Sequence, residues 1–369
     1  MNCLKSIRVD LGARSYEILI GPGLLSESGE ILRSIGIRGK VLIVTNPKVG
    51  ALYLLSLRDG LKAAGFEVES ITIPDGETYK SLAQVERVYE AAVGMRLERS
   101  STIVALGGGV IGDLAGFAAA TYLRGVNFVQ APTTLLAQVD SSVGGKVAVN
   151  HRHGKNLIGA FYQPRVVIAD LSTLHTLDER DYISGMAEII KAGLIKDHRL
   201  CRLLAENDTA IRDQDLEALA EVIAAACSIK ADVVEADEFE GGIREILNYG
   251  HTIGHALEAE TGYEEYRHGE AVAIGMHGAV CLGVLMGLCP PELLETTVSL
   301  LEKYKLPTRI SGLSKEKLIV RMSWDKKVSG GALRFVLPVA VGRVKTVVAP
   351  PHELLLKALA LTGANGGEA

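Results

Sequence analysis

Paired cysteines are missing from this chain. Cys3, Cys201, Cys227, Cys281 and Cys289 are odd in number and contain no CxxC spacing. The chain is too long to need disulfide staples, so a reducing cytoplasm is the expected compartment. An excess of positive charge is also missing: 39 Lys and Arg face 44 Asp and Glu, for a net charge of -5. That balance provides no broad basic surface, which excludes general nucleic-acid or anionic-membrane binding from the expected functions. The opening MNCLKSIRVDLGARS holds no apolar core segment, so no signal peptide is expected. There is no internal repeat and no low-complexity linker.

What is present is a globular composition, 48% hydrophobic and 22% charged over 369 residues. This length supports two domains, each with its own core. Residues 271–289 are almost wholly apolar and long enough to cross a bilayer. They are rich in Ala and Gly and carry His277 at mid-segment, which favours a buried core helix over a membrane span.

The first half alternates in texture. Residues 7–11 and 16–20 read as short strands around a turn, and 41–45, 68–73, 102–106, 128–131 and 166–169 as further strands. Helical spacing lies between them, as at 81–94. Strands alternating with helices predict an α/β layer with a mainly parallel sheet. From residue 178 to about 306 only helical periodicity is visible, at 182–196, 215–236, 253–260 and 271–288. A small hairpin is expected at 333–337 and 344–348. The expected partition is an α/β domain over 1–176 and an all-α domain over 177–369.

Several constellations could carry chemistry. Gly107-Gly-Gly-Val-Ile-Gly-Asp113 follows strand 102–106 and opens a helical pattern. Glycines let a backbone approach a pyrophosphate, and the N–H groups of a helix start favour an anion. The usual dinucleotide fingerprint sits after the first strand with an acid about twenty residues on. Here it lies several strands in, and residues 130–135 carry no acid. The motif is therefore a phosphate loop of a variant nucleotide fold or a tight strand–helix turn. Asp75-Gly-Glu-Thr-Tyr-Lys80 is a charged turn after a strand, either a ligand contact or a solvated loop. Asp140-Ser-Ser-Val-Gly-Gly-Lys146 is not a Walker A loop, because Asp140 replaces the first glycine and Val147 follows the lysine. Lys146, Lys155 and Asn156 are candidate phosphate donors in what reads as loop.

Asn248-Tyr-Gly-His-Thr-Ile-Gly-His255, followed by His268-Gly-Glu270, is the strongest signal. His251 and His255 at i and i+4 share a helix face, as two metal ligands require, and His268 could add a third nitrogen. Thr252 stands where the HExxH zinc motif has its catalytic glutamate, which argues against a metalloprotease. Glu188 and Lys191 share a face upstream, in GMAEIIK. Spacing leaves open which of His251, His255, His268 and Glu188 bind the ion. Lys230, Arg244, Lys326 and Lys327 are further cations near apolar segments. A dinucleotide loop, a metal cluster and phosphate donors together suggest redox chemistry on a phosphorylated polyol.

In combination these motifs closely resemble the 3-dehydroquinate synthase family of sugar-phosphate cyclases, from about residue 41 to 337. They are DGExxK at 75–80, GGGVIGD at 107–113, PTTLLAQVDSSVGGK at 132–146, KNLIGAFYQP at 155–164, GMAEIIK at 185–191, NYGHTIGHALE at 248–258, HGEAVAIGM at 268–276 and DKK at 325–327. The resemblance implies a Rossmann-like N-terminal domain with NAD and a helical C-terminal domain with Zn²⁺ or Co²⁺. It implies Glu188, His251 and His268 as metal ligands, with His255 moved to the substrate phosphate. Nucleotide contacts would come from Asp75, Gly76, Glu77, Thr78, Tyr79 and Lys80, and from Gly108, Gly109, Val110, Ile111, Gly112 and Asp113. Thr133, Thr134, Lys146, Lys155, Thr173, Leu174, His175 and Thr176 complete that set. Substrate contacts would be Asp140, Lys146, Asn156, Lys191, Lys230, Arg244, Asn248, His255 and one DKK lysine, with Lys327 preferred to Lys326. Arg124 resembles an arginine lent to a neighbouring subunit, implying a homodimer.

The implied reaction turns 3-deoxy-D-arabino-heptulosonate 7-phosphate into 3-dehydroquinate and phosphate. Its steps are transient oxidation at C5, β-elimination of phosphate, reduction, ring opening and aldol closure. Asp181 is a departure, since the family usually has the longer glutamate there for a nucleotide contact. Rival readings are a sister cyclase for sedoheptulose 7-phosphate or glucose 6-phosphate, a metal-dependent polyol dehydrogenase, and a nucleotide-binding sensor. Lys230 and Arg244 together suit a carboxylate, which favours the heptulosonate.

Overall fold

The structure, a computed structural model, describes residues 2–326 and 333–365. The chain forms two compact units, residues up to 177 with 214–239, and residues 178–213 with 240 onward.

The first unit is built on strands β1 (Lys5–Val9), β2 (Tyr16–Gly21), β3 (Lys40–Thr45), β4 (Glu67–Thr72), β5 (Thr102–Gly107), β6 (Asn127–Pro132) and β9 (Val166–Asp170). Their order is β1-β2-β9-β6-β5-β3-β4. All neighbours are parallel except the edge hairpin β1–β2. The inner strands carry unbroken apolar runs, 41–44 in β3 and 103–106 in β5, because both faces are covered. Leu42, Val44, Ile103 and Ala105 point into one core with helices α3 (Leu82–Gly94) and α4 (Gly109–Thr121). Val41, Ile43, Val104 and Leu106 point into the other, beneath α1 (Ser28–Ser34) and α2 (Pro47–Ala63). Asn46 starts α2 by accepting a 2.8 Å bond from the Val49 N–H, with Pro47 in the first turn.

Two expectations need correcting here. Lys146, Lys155 and Asn156, for which a surface loop is the alternative to a phosphate site, stand on an antiparallel hairpin of β7 (Lys146–His151) and β8 (Gly154–Phe161). Val147 and Val149 alternate inward and pack on the α4 side of the sheet, which gives this glycine-rich stretch a reason to pair. The partition at 176/177 also assigned everything downstream to a second domain. After α5 (Glu179–Lys196), α6 (His198–Glu206) and α7 (Asp208–Arg212), helix α8 (Leu216–Ala236) belongs instead to the first unit. It packs against β1 and β2 and buries Leu219, Ile223 and other apolar residues, while Cys227 Sγ donates to the Gln138 carbonyl at 3.4 Å. Its C-terminal end is tied down by Glu235, which accepts a 2.7 Å bond from the Asp10 N–H, and by an Arg14–Glu238 ion pair at 2.5 Å.

The second unit is largely helical. Besides α5 to α7 it holds α9 (His251–Glu260), α10 (His268–Leu285), α11 (Pro291–Lys303), α12 (Lys315–Lys326) and α13 (His352–Leu361). The expected hairpin is present as β10 (Arg334–Ala340) and β11 (Arg343–Val348). Helix α10 is the apolar stretch long enough for a membrane, and 83% of it is buried within the protein. It contacts α5, α9, α11 and α13, so its apolar surface is already covered. Lys327, expected at the substrate phosphate, lies outside the described residues.

Candidate functional site

In the first unit β4 lies on one side of β3 and β5 on the other, while β6 and β9 continue outward from β5. The strand order therefore reverses between β3 and β5, and open α/β sheets bind ligands beyond the carboxyl ends of strands at such a point. The chain places Asn46 at the end of β3, Asp75 beyond β4, Gly108 after β5, Thr133 after β6 and Thr173 beyond β9. The nucleotide candidates thus gather from five strands onto one end of the sheet.

Lys80 is the hub of this region. It is 4% exposed and donates to Asp113 Oδ2 at 2.5 Å and to Asn156 Oδ1 at 2.5 Å. Burial pushes the Asp113 carboxyl up, and the ammonium of Lys80 pulls it back. Asn156 adopts a left-handed backbone conformation with φ 57°, and its N–H donates to Asn150 Oδ1 at 2.9 Å. Asn150 in turn donates to Glu77 Oε1 at 2.8 Å, and Asn46 donates to Asp75 Oδ1 at 2.9 Å. Asn46 and Asn150 escaped the sequence reading, because an isolated Asn outside a glycine cluster carries no signal. At the start of α4 a Cβ on Gly109 would lie 3.0 Å from Ser141 Oγ, so the loop is closed to larger residues. Thr133 Oγ1 is buried with no hydrogen-bond partner. An orphaned hydroxyl and a glycine-lined helix start fit a bound phosphorylated nucleotide. Tyr53, also unforeseen, hydrogen-bonds Thr176, while His175 Nδ1 lies 3.1 Å from Gln214 Oε1.

Asp140 and Lys230 form an ion pair within the same unit, and Lys230 also donates to the Asp140 carbonyl at 2.6 Å. Asp140 lies in a one-turn π-helix, Ala137–Ser141, a conformation found often at functional sites. Arg124 is exposed, with φ 66°, beside Leu123 at φ 51°.

The second unit holds the acid–histidine cluster. Glu188 on α5, His251 at the first turn of α9 and His268 at the first turn of α10 present ligand atoms within 4.8 Å of one another. Glu188 Oε1 lies 3.8 Å from His251 Nε2 and 3.9 Å from His268 Nε2. A tetrahedral shell with ~2.0–2.1 Å bonds spaces its ligands by about 3.3 Å, so the set is about half an ångström open. Glu188 is 3% exposed; its Oε2 pairs with Lys191, and its Oε1 is buried without a partner. Leaving such an oxygen unsatisfied costs about 1–3 kcal/mol or more, a cost that a bound cation removes. Burial holds the His251 imidazole well below its ordinary range, helped by Lys191 and the two other histidines. His251 therefore offers a neutral ring, and its Nδ1 lies 3.3 Å from the Tyr249 carbonyl, leaving Nε2 toward Glu188. The residues present fit a divalent metal.

Helical spacing alone paired His251 with His255. The two rings do meet, with centroids 5.2 Å apart, but the set around Glu188 contains His251 and His268. His255 joins a second set with Glu258 and His268 and is itself exposed.

Close backbone contacts fix this arrangement. A Cβ on Gly275 of α10 would collide with the Gly250 carbonyl, and one on Gly269 with the Ser184 carbonyl of α5. The two glycines let α9 and α5 approach α10 to backbone contact. Arg180 grips Glu270 through two bonds of 2.6 and 2.7 Å, and Glu270 Oε2 also accepts from the Arg267 N–H at 2.8 Å. Asp181 pairs with Arg267 at 3.1 Å, next to His268. Arg244, Lys191 and Asn248 belong to the same unit, with Arg244 2% and Lys191 3% exposed.

Residues 70–184 match the family model described as 3-dehydroquinate synthase N-terminal, and 185–328 the model described as 3-dehydroquinate synthase C-terminal. The 3-dehydroquinate synthase of Geotalea uraniireducens is 50% identical over 333 residues, covering 90% of this chain and 92% of the relative. That of Gloeobacter violaceus is 50% identical over 354 residues, covering 96% and 98%. Among solved structures, 2-epi-5-epi-valiolone synthase from Streptomyces hygroscopicus, with NAD⁺ and Zn²⁺ bound, superposes with a TM-score of 0.87 at 26% identity, covering 94% of this chain and 96% of the other. A 2-deoxy-scyllo-inosose synthase complexed with carbaglucose-6-phosphate, NAD⁺ and Co²⁺ gives 0.86 at 26% identity, covering 97% and 100%.

Proposed function

The chain belongs to the 3-dehydroquinate synthase family, and from that premise we propose how its residues convert 3-deoxy-D-arabino-heptulosonate 7-phosphate to 3-dehydroquinate and phosphate. The observation that carries the reading is the buried, unpartnered Glu188 Oε1 facing two histidine nitrogens in a chain about half identical to named synthases.

Bound NAD would take and return one hydride at C5, and a Zn²⁺ or Co²⁺ ion would polarise the oxygen there. Glu188, His251 and His268 would hold the ion. Lys191, paired with Glu188 Oε2, holds that carboxylate in place and leaves Oε1 toward the histidines. Lys80, Asp75, Glu77, the Gly108–Asp113 loop, Thr133, Thr134, Lys155 and residues 173–176 would hold the nucleotide. Lys80 holds Asp113 and Asn156 in one orientation, so the polar floor of that site is preset before a ligand arrives. Lys146, Lys230, Arg244, Asn156, Asn248 and His255 would bind the carboxylate and phosphate of the substrate. Cations around the leaving phosphate stabilise its developing charge. Ketone formation at C5 acidifies the adjacent C–H, and the substrate's own phosphate can accept that proton as it departs. Asp181 is committed to Arg267, so a nucleotide contact is not part of the proposal.

The exposed Leu123–Arg124 turn, with both residues in left-handed backbone geometry, supports a homodimer in which Arg124 reaches the partner's site. Five free cysteines, four of them buried, support a cytoplasmic enzyme.

The test is incubation of the purified protein with the heptulosonate phosphate, catalytic NAD⁺ and Zn²⁺ or Co²⁺, following phosphate and 3-dehydroquinate. Both products should form in equal amounts with no net NADH. Stoichiometric NADH would establish a dehydrogenase instead. Preference for sedoheptulose 7-phosphate or glucose 6-phosphate would establish a sister cyclase.

A further inference from the structure

We propose that Glu258 is a positioning residue that turns His268 toward the metal site by accepting a hydrogen bond from its Nδ1. The inference rests on the metal reading above. His268 presents one nitrogen to each of two carboxylates: Nδ1 lies 3.3 Å from Glu258 Oε2, and Nε2 lies 3.9 Å from Glu188 Oε1. An imidazole that binds a metal through one nitrogen carries its proton on the other, and the acceptor facing that proton sets both the tautomer and the ring plane. Glu258 supplies such an acceptor. Its side chain is 9% exposed, and it sits on α9, the helix that begins with His251.

His251 shows the same logic with a different acceptor, since its Nδ1 faces the Tyr249 carbonyl at 3.3 Å. Each histidine is thus held from behind, one by a neutral carbonyl and one by a carboxylate. Glu258 also ties helices α9 and α10 together at the level of the site, so the ring cannot turn without breaking a half-buried contact.

A competing arrangement uses the same residues. His255, Glu258 and His268 also bring ligand atoms within 4.8 Å of one another, so an ion there would make Glu258 a ligand and take His268 through Nδ1. Burial decides between them. Glu188 is 3% exposed with an orphaned oxygen, whereas His255 is exposed to solvent. The unsatisfied group lies on the Glu188 side.

The experiment compares wild type, Glu258→Gln and Glu260→Gln. Glu260 is on the same helix but pairs with Arg321 at 2.7 Å. Zinc dissociation constants come from chelator competition, apoprotein melting is followed by circular dichroism, and the d–d absorption of the Co²⁺ forms is recorded. Glu258→Gln should weaken zinc binding about 10–100-fold, with unchanged apoprotein melting and a shifted Co²⁺ band. Glu260→Gln should match wild type. Wild-type affinity in Glu258→Gln would overturn the inference while leaving the metal reading intact. Absence of zinc uptake by the wild type would defeat the metal reading and the inference with it. Long-range ¹⁵N–¹H spectra of histidine-labelled wild-type zinc protein give an independent readout that needs no variant to fold. They should show His268 protonated at Nδ1 and metallated at Nε2; metal on Nδ1 would refute the proposal.

Discussion

Replacing Gly275 by alanine should separate His251 and His268, the two histidines proposed to hold the metal. A Cβ at 275 would collide with the Gly250 carbonyl and stand 2.8 Å from its carbon and 3.1 Å from the Gly254 nitrogen. These are backbone atoms, so no side chain can swing aside. Reaching an ordinary separation of ~3.4 Å requires α9 and α10 to part by about 1.5 Å near Gly250. Gly250 immediately precedes His251, and Gly275 lies two turns along α10 from His268. Metal ligands tolerate about 0.2 Å of error, so a shift several times larger costs a ligand. Overpacking of this kind also destabilises a fold by about 1–3 kcal/mol. The expected result is a folded Gly275→Ala protein with a lowered melting temperature and a zinc affinity reduced at least 10-fold. Zinc affinity and melting temperature both equal to wild type would refute the claim that helix contact sets the ligand spacing.

Other outcomes follow from neighbouring features. His268→Ala should purify without metal and regain none on dialysis against Zn²⁺; retained stoichiometric metal would remove His268 from the ligand set. Lys80→Met should lower NAD affinity by calorimetry at least 10-fold, because it leaves the half-buried Asp113 without its cation; unchanged affinity would place the nucleotide elsewhere. Glu245 accepts bonds of 2.6 and 2.7 Å from Arg334, which hold its carboxyl below the usual range. Its folded value lies below its unfolded one, so its stabilising effect is present above the unfolded value of about 4.3 and disappears as pH falls through the folded value. Glu245→Gln should therefore lower the melting temperature at pH 7, by an amount that shrinks as pH falls below about 4.3. Burial pushes the Cys201 and Cys227 thiols up to about 12 and Cys281 up to about 11. Iodoacetamide at pH 8 should label Cys3 alone in the native protein and all five cysteines after denaturation, counted by mass.

The sheet was legible because a parallel strand covered on both faces must be apolar at successive positions, as 41–44 and 103–106 are. The hairpin 146–161 was not, because its glycines and charged residues conceal the alternation of Val147 and Val149. The spacing of His251 and His255 pointed to neighbouring rings, which do lie 5.2 Å apart, but i and i+4 describe only one helix. That Glu188 and His268 lie beside His251 depends on Gly269 and Gly275, which bring two other helices into backbone contact. A local pattern carries no signal for such contacts. Asn46, Asn150 and Glu258 were invisible for a related reason: each acts by holding another side chain, and its partner is distant in sequence or unremarkable in type. Helix 215–236 was found, but its place was not, since an amphipathic face does not say which sheet it will cover.

The placement of α8 bears on how this protein is made. The segment that completes the first unit is synthesised only after a thirty-six-residue excursion into the second. A nascent chain that has just extruded β9 therefore still has the β1–β2 side of its sheet bare of Leu219, Ile223 and their neighbours. Severing the gene at residue 177 would release a fragment with an uncovered apolar face, prone to aggregate. Dissection into separately expressed halves would have to graft 214–239 back onto the first.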